Sequence, residues 1–236
     1  MTHFKEVITL KSLRNIVLIA GLICINALSI TANAATEWHL RSPLIFFGVT
    51  FGKTNFVAVG EQGAIFRSPD GNAWSSAKSG ITETLRAVTF GKDTFIAVGD
   101  KGSILTSPDG SAWTTMSSGT SNLLRSIAYG NGTFVAVGDK GTLITSRDGV
   151  AWTTEVSGVL DGLREVIFAD KRFVITGEHG TILTSRDGAE WKKVDIDFPL
   201  TIKSVAHGSA GFVAVGGADN ALISAEVPNS RISFLS

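Results

Sequence analysis

At 236 residues, 44% of them hydrophobic, the chain has enough apolar side chains for a packed core, which excludes a disordered protein. Its 21 Lys+Arg stand against 21 Asp+Glu, a balance that excludes the basic bias of a dedicated nucleic-acid binder. Glycine is frequent (26) and proline scarce (5), which suits many tight turns between short strands.

The first 34 residues differ from the rest. Lys5, Lys11 and Arg14 form a positive start, and an apolar stretch follows from Ile16 to Ile30, broken by Gly21, Asn26 and Ser29. Ala32-Asn33-Ala34 then supplies a small-x-small cleavage signature before Ala35. This pattern predicts a signal peptide over 1–34 and one exported domain over 35–236, periplasmic or secreted, with no membrane span after cleavage. The competing reading is an uncleaved anchor, for which the stretch is short against the ~20 residues a span needs. Ile23 precedes Cys24, so the small residue of a lipoprotein signal is missing. The mature chain has no cysteine, hence no disulfide, thiol nucleophile or thiolate ligand. It carries 18 Lys+Arg against 20 Asp+Glu, a net charge of −2.

From Phe47 onward the sequence repeats every 39 residues. Trp74, Trp113, Trp152 and Trp191 keep that spacing, as do Asp70, Asp109, Asp148 and Asp187. Phe56, Phe95, Phe134, Phe173 and Phe212 extend it to a fifth unit, with Gly60, Gly99, Gly138, Gly177 and Gly216. Within the unit Leu85–Asn122, apolar runs at Arg86–Phe90, Phe95–Val98, Ser103–Thr106 and Ala112–Met116 alternate with turn residues. Each run reads as a strand. Nothing in the unit offers the i, i+3, i+4, i+7 spacing of a helical repeat. Four short strands in about 40 residues, apolar on both faces, predict an all-β fold: a β-propeller of five four-stranded blades.

The fifth unit lacks the Asp–Gly turn and the Trp. A strand at Thr36–Leu40, around Trp38, is expected to complete the last blade and close the ring. Two alternatives stand beside it: Arg231–Leu235 as the last blade's own fourth strand, and a chain that forms part of a larger ring.

The segment Ser-x-Asp-Gly-x-x-Trp occurs as Ser68, Asp70, Gly71, Trp74; as Ser107, Asp109, Gly110, Trp113; as Ser146, Asp148, Gly149, Trp152; and as Ser185, Asp187, Gly188, Trp191. It resembles the Asp-box (BNR repeat) of bacterial neuraminidases, one residue shorter. The wider unit, with its FVAVG strands and closing Ser–Gly, resembles the repeat of the photosystem II stability/assembly factor family over nearly all the mature chain. That resemblance implies a propeller and a partner-binding role. Family members usually have about seven blades, against five here. The Asp-boxes are expected to be structural: Asp caps its own turn, Gly takes positive φ, Ser joins the local network and Trp anchors the blade.

The sequence offers little chemistry. A sialidase needs a Tyr nucleophile, and the only tyrosine, Tyr129, falls in the packing register of Phe51, Phe90 and Phe168. His39, His179 and His207 occupy unrelated positions of the repeat and show no ligand spacing. No phosphate loop, metal site or cofactor motif is present, and no catalytic set is expected.

Arg86, Arg125, Arg164 and Lys203 share one register at the start of each innermost strand, so rotational symmetry should arrange them around the channel, opposite the Asp-boxes. Such cations suit a carboxylate, a phosphate or an acidic protein tail. Glu61, Asp100, Asp139 and Glu178 repeat on the same face, which opens a second reading: internal salt bridges between blades. The leading expectation is a non-catalytic exported module that binds a protein or peptide, with a carbohydrate-binding propeller as the alternative. N-terminal sequencing of exported protein is expected to begin at Ala35; a start at Met1 contradicts cleavage.

Overall fold

The computed structural model describes residues 44–196, 199–209, 211–217, 221–226 and 231–235; the expected signal segment and the strand at 36–40 lie outside them. The described residues form five antiparallel four-stranded sheets in chain order. The first holds β1 (Phe46–Gly52), β2 (Asn55–Gly60), β3 (Ile65–Ser68) and β4 (Ser75–Ala77). The second holds β5 (Leu85–Gly91), β6 (Thr94–Gly99), β7 (Ile104–Ser107) and β8 (Thr114–Met116). In the third come β9 (Leu124–Gly130), β10 (Thr133–Gly138), β11 (Leu143–Ser146) and β12 (Thr153–Thr154). The fourth comprises β13 (Leu163–Ala169), β14 (Arg172–Gly177), β15 (Ile182–Ser185) and β16 (Lys192–Lys193). The last contains β17 (Ile202–Gly208), β18 (Gly211–Gly216), β19 (Ala221–Glu226) and β20 (Arg231–Leu235).

The outer place of the fifth sheet, expected for residues 36–40, is taken by β20, which pairs with β19 from Leu222↔Leu235 to Glu226↔Arg231. Only residues 227–230 separate the two strands, so this pairing costs far less loop-closure entropy than recruiting a strand from the other end of the chain.

The three middle sheets bury both faces because a neighbouring sheet lies on each side, and the first and last sheets each pack on one neighbour. β5 packs on β1, β9 on β5, β13 on β9 and β17 on β13. One core layer joins Val57, Val59 and Ile65 of the first blade to Val88, Phe95, Ala97 and Leu105 of the second. Phe95, Phe134 and Phe173, the repeat's core aromatics, are fully buried. Burial on both sides explains why the middle strands read as unbroken apolar runs rather than alternating ones.

The step between blades has a specific form. A Cβ built on Gly52 would lie 2.1 Å from the ring of Phe90, one on Gly91 2.1 Å from Tyr129, and one on Gly130 1.9 Å from Phe168. Each ring therefore sits in a hole that only glycine leaves open. The next hole is filled by Ala169, and there the ring register carries His207, which is exposed.

The Asp-box differs in emphasis from its sequence reading. In the second blade the Ser107 hydroxyl is wholly buried and accepts the Gly110 N–H at 2.8 Å. Asp109 lies outside it, accepting from Ser111 N at 2.8 Å and Ala112 N at 3.1 Å. Those bonds, with the Ser111 hydroxyl foremost, hold its carboxyl well below the usual range. Trp113 donates its indole N–H to Gly110 O at 3.0 Å and packs on the layer between blades one and two. Gly110 itself has φ 76°, and a Cβ there would lie 2.8 Å from Val57 Cγ2 of the preceding blade. The serine–glycine bond and the indole bond to the glycine carbonyl recur in the boxes of Ser68, Ser146 and Ser185.

Between blades four and five a half-buried carboxylate bridges the innermost strands: Glu165 accepts the backbone N–H of Val205. One step earlier the Ser126 hydroxyl plays that part, accepting from Val166 N at 3.1 Å. Burial pushes the Glu165 carboxyl above its ordinary value.

Two outcomes follow from these contacts. Ser107→Ala leaves the buried Gly110 N–H without an acceptor and should destabilise by about 1–3 kcal/mol, whereas Asp109→Ala removes exposed bonds and should cost about 1 kcal/mol; paired thermal melts check the ranking. Because the folded pKa of Glu165 lies above its unfolded one, ionisation destabilises the fold increasingly as pH rises through that interval. Glu165→Gln keeps an acceptor for Val205 and should raise Tm at pH 7, with the gain fading below about pH 4, where Glu165 is protonated anyway.

Candidate functional site

The innermost strand of every blade contains a β-bulge at one position. Pairing runs Leu85↔Gly99 and then Ala87↔Val98, skipping Arg86. The same slip omits Phe47, Arg125, Arg164 and Lys203. A bulge re-aims the side chain of its extra residue. Here Arg86, Arg125 and Arg164 meet the β6–β7-type turn of their own sheets. The sequence showed the register of these residues but not the bulge, since nothing in their local pattern marks an extra residue.

In the second blade Arg86 Nε donates to Asp100 Oδ1 at 2.7 Å and Nη2 to Oδ2 at 3.1 Å. In the third, Arg125 Nε donates to Asp139 Oδ1 at 2.6 Å. Arg164 pairs with Glu178 in the fourth, and the Gly162 N–H donates to the same carboxylate at 3.0 Å. The salt bridges anticipated between blades thus form within them. The Asp100 carboxylate, reinforced by the charges of Glu61 and Asp139 from the flanking blades, keeps the Arg86 guanidinium firmly protonated. The backbone bond from Gly162 and the Arg164 guanidinium hold Glu178 below the ordinary carboxylate range.

The pattern breaks at both ends. Phe47 occupies the register in the first blade, and the Arg86 guanidinium lies 4.9 Å above its ring. Lys203 in the fifth is exposed, and the acid register there holds Gly217, so Lys203 makes no ion pair among the described residues. Among the described residues its charge is uncompensated where the others are matched.

The cations and the Asp-boxes lie at opposite ends of the strands. The Lys92 ammonium, from the turn after β5, donates to Arg147 O in the next blade's Asp-box at 3.0 Å, and Asn131 reaches Arg186 O at 3.1 Å. Both contacts belong to the Asp-box face. On the cation face the links between blades carry a feature missed in the sequence: Val156 and Leu160 are 87% and 89% exposed. The same positions one repeat earlier hold Ser117 and Ser121, so the repeat register could have marked them. Leu200 is also exposed, in the following link. His179 on this face holds Asp161 at 2.8 Å through Nδ1.

A groove of about 300 Å³ lies between blades three and four on the Asp-box face, lined by Thr133, Arg147, Asp148, Glu155 and Asp187. Its Asp-box carboxylates are committed to backbone N–H groups. Tyr129 stacks on Phe134 at 4.5 Å, and His207 on Phe212 at 4.7 Å. Among the described residues no three His, Cys, Asp or Glu side chains cluster as metal ligands, and no helix is long and apolar enough to cross a membrane.

Known proteins share this architecture. The chain resembles a structure of YCF48 bound to D1 peptide, with TM-score 0.64 and 18% identity over 85% of this chain and 70% of that one. YCF48 from Cyanidioschyzon merolae gives TM-score 0.62 and 16% identity over 82% and 72%. A chain of the nidogen/laminin complex gives 0.63 and 14% over 90% and 89%. At such identities the likeness is one of fold, and it upholds the propeller reading. No curated protein matches the sequence. A family model, the DUF6242 beta propeller domain, matches residues 46–163, half of the chain and three successive blades. Repeat, blade topology and family match agree, and the chain belongs to the DUF6242 beta propeller domain family.

Proposed function

We propose that the protein is a non-catalytic, exported propeller that binds an extended, acidic and partly apolar peptide or protein segment on its cation face. The observation that carries this is the exposure of Val156 and Leu160 in a link on the same face as the bulged cations. Their equivalents are Ser117 and Ser121 one repeat earlier, Lys78 and Thr82 two repeats earlier and Asp195 and Pro199 one repeat later, so no other repeat places an aliphatic side chain there. Arg86, Arg125 and Arg164 are fixed by their carboxylates, so binding orders them at little entropic cost, and their outer N–H groups remain able to donate. Lys203 adds an uncompensated positive charge to steer an acidic segment. The D1 peptide held by a YCF48 of the same fold is consistent with this use of the scaffold. The positively charged start and cleavage signature of residues 1–34 support export, to the periplasm or beyond.

The carbohydrate-binding alternative needs exposed aromatic side chains repeated in the loops. The indoles of Trp74, Trp113, Trp152 and Trp191 instead donate to the glycine of their own Asp-box, which uses them as anchors.

An array of immobilised peptides graded from acidic to basic tests the reading. Acidic peptides containing Leu or Phe are expected to retain the protein. Lys203→Glu and Leu160→Ser should each weaken that retention by roughly tenfold, about 1.4 kcal/mol, while Arg186→Ser on the opposite face leaves it unchanged. Retention of no peptide class, or equal loss with Arg186→Ser, overturns the assignment.

A further inference from the structure

The internal blade steps define two complementary surfaces, and the array ends with one of each left open. The leading surface of a blade presents the ring at the Phe90 register together with Val88, Phe95 and Ala97; the trailing surface presents the glycine hole together with Val57 and Val59. At every internal step these are covered: Val88, Ile127, Val166 and Val205 are buried on leading surfaces, and Val57, Ile96, Val135 and Val174 on trailing ones.

Blade one has no such cover on its leading surface. There Val49 is 49% and Phe51 54% exposed, and Phe56 is only partly buried where Phe95, Phe134 and Phe173 are fully so. Blade five shows the reciprocal condition on its trailing surface. Val213 is 39% exposed, and a Cβ on Gly208 would meet nothing within 4 Å. β17 and β1 share no packing comparable to the internal steps. The array is therefore an open arc with a knob, Phe51, at one end and an empty hole, Gly208, at the other.

The residues at the two ends match each other better than some internal ones do. The step from blade four to blade five has lost both parts of the lock, with Ala169 in the hole and His207 in the ring register. Gly208 and Phe51 retain both, although no contact among the described residues joins them.

We infer that a second copy of this chain covers these ends: the leading surface of blade one, with Phe51, docks on the trailing surface of blade five of another copy, its ring entering the hole over Gly208. The contact is head-to-tail, so each copy in the assembly uses one knob and one hole. It continues the blade stack across two chains with the same apolar layer that joins blades one to four.

Complementation between two variants of the full mature chain tests this. Phe51→Glu spoils the knob and keeps the hole; Val213→Glu spoils the hole and keeps the knob. Both positions are exposed in the single chain, so each variant should retain a cooperative melt within a few degrees of the parent. Light scattering on a sizing column, over about 1 to 200 µM, reads the mass. The parent is expected to associate with rising concentration, each variant alone to remain one protomer, and an equimolar mixture to form a 1:1 dimer and nothing larger. A parent that stays monomeric throughout, as it would if its own ends closed, overturns the inference. So does either variant associating alone as the parent does, or a mixture that fails to pair.

Discussion

The insertion of an aromatic ring into the gap left by a glycine of the preceding blade governs this molecule. A four-stranded sheet of about 20 strand residues is too small to bury an apolar face by itself. Here a sheet hides both faces only where it lies between two others, as the three middle ones do. The ring of Phe90 over Gly52, of Tyr129 over Gly91 and of Phe168 over Gly130 sets how closely adjacent innermost strands approach. That approach brings Phe95, Phe134 and Phe173 to complete burial. Where the pair becomes Ala169 and His207 the ring stays outside, and Glu165 instead ties the innermost strands together through Val205.

The turn chemistry serves the same stacking. In each Asp-box the serine satisfies a buried glycine N–H, the aspartate ties the outer part of the loop, and the tryptophan closes back on the glycine carbonyl. The glycine itself leaves room for an aliphatic side chain of the preceding blade. Four acidic residues in one register thus serve local geometry, and their lowered pKa values record hydrogen bonds, from the Ser111 hydroxyl foremost at Asp109 and from backbone N–H groups foremost at Asp70, Asp148 and Asp187.

At the opposite end of the strands the charges serve a different purpose. The bulge recurs in every sheet, and at Arg86, Arg125 and Arg164 it accompanies a cation paired with an acid of its own sheet, leaving a face of fixed, largely compensated charge. Such half-exposed pairs contribute little to stability. Their consequence is a rigid, polar platform on which Lys203 and the apolar links at Val156 and Leu160 stand out. The contrast between the faces rests on strand direction, since alternate turns of an antiparallel sheet emerge at opposite ends.

The sequence by itself determined the number and length of the blades, the identity of their core aromatics and the structural nature of the Asp-boxes. A strict 39-residue spacing turns equal positions into equivalent places, and period and turn residues are local properties of the chain. It also separated the cation face from the Asp-box face. Only the tertiary structure decided that Arg86, Arg125 and Arg164 pair within their own blades, because the bulge that aims them arises from registry with the neighbouring strand. Only it gave the fifth sheet's last strand to Arg231–Leu235, where proximity in the chain favours a local hairpin. The open ends at Phe51 and Gly208 were beyond the sequence for the same kind of reason: whether an array closes depends on the angle between packed sheets, which no repeat register contains.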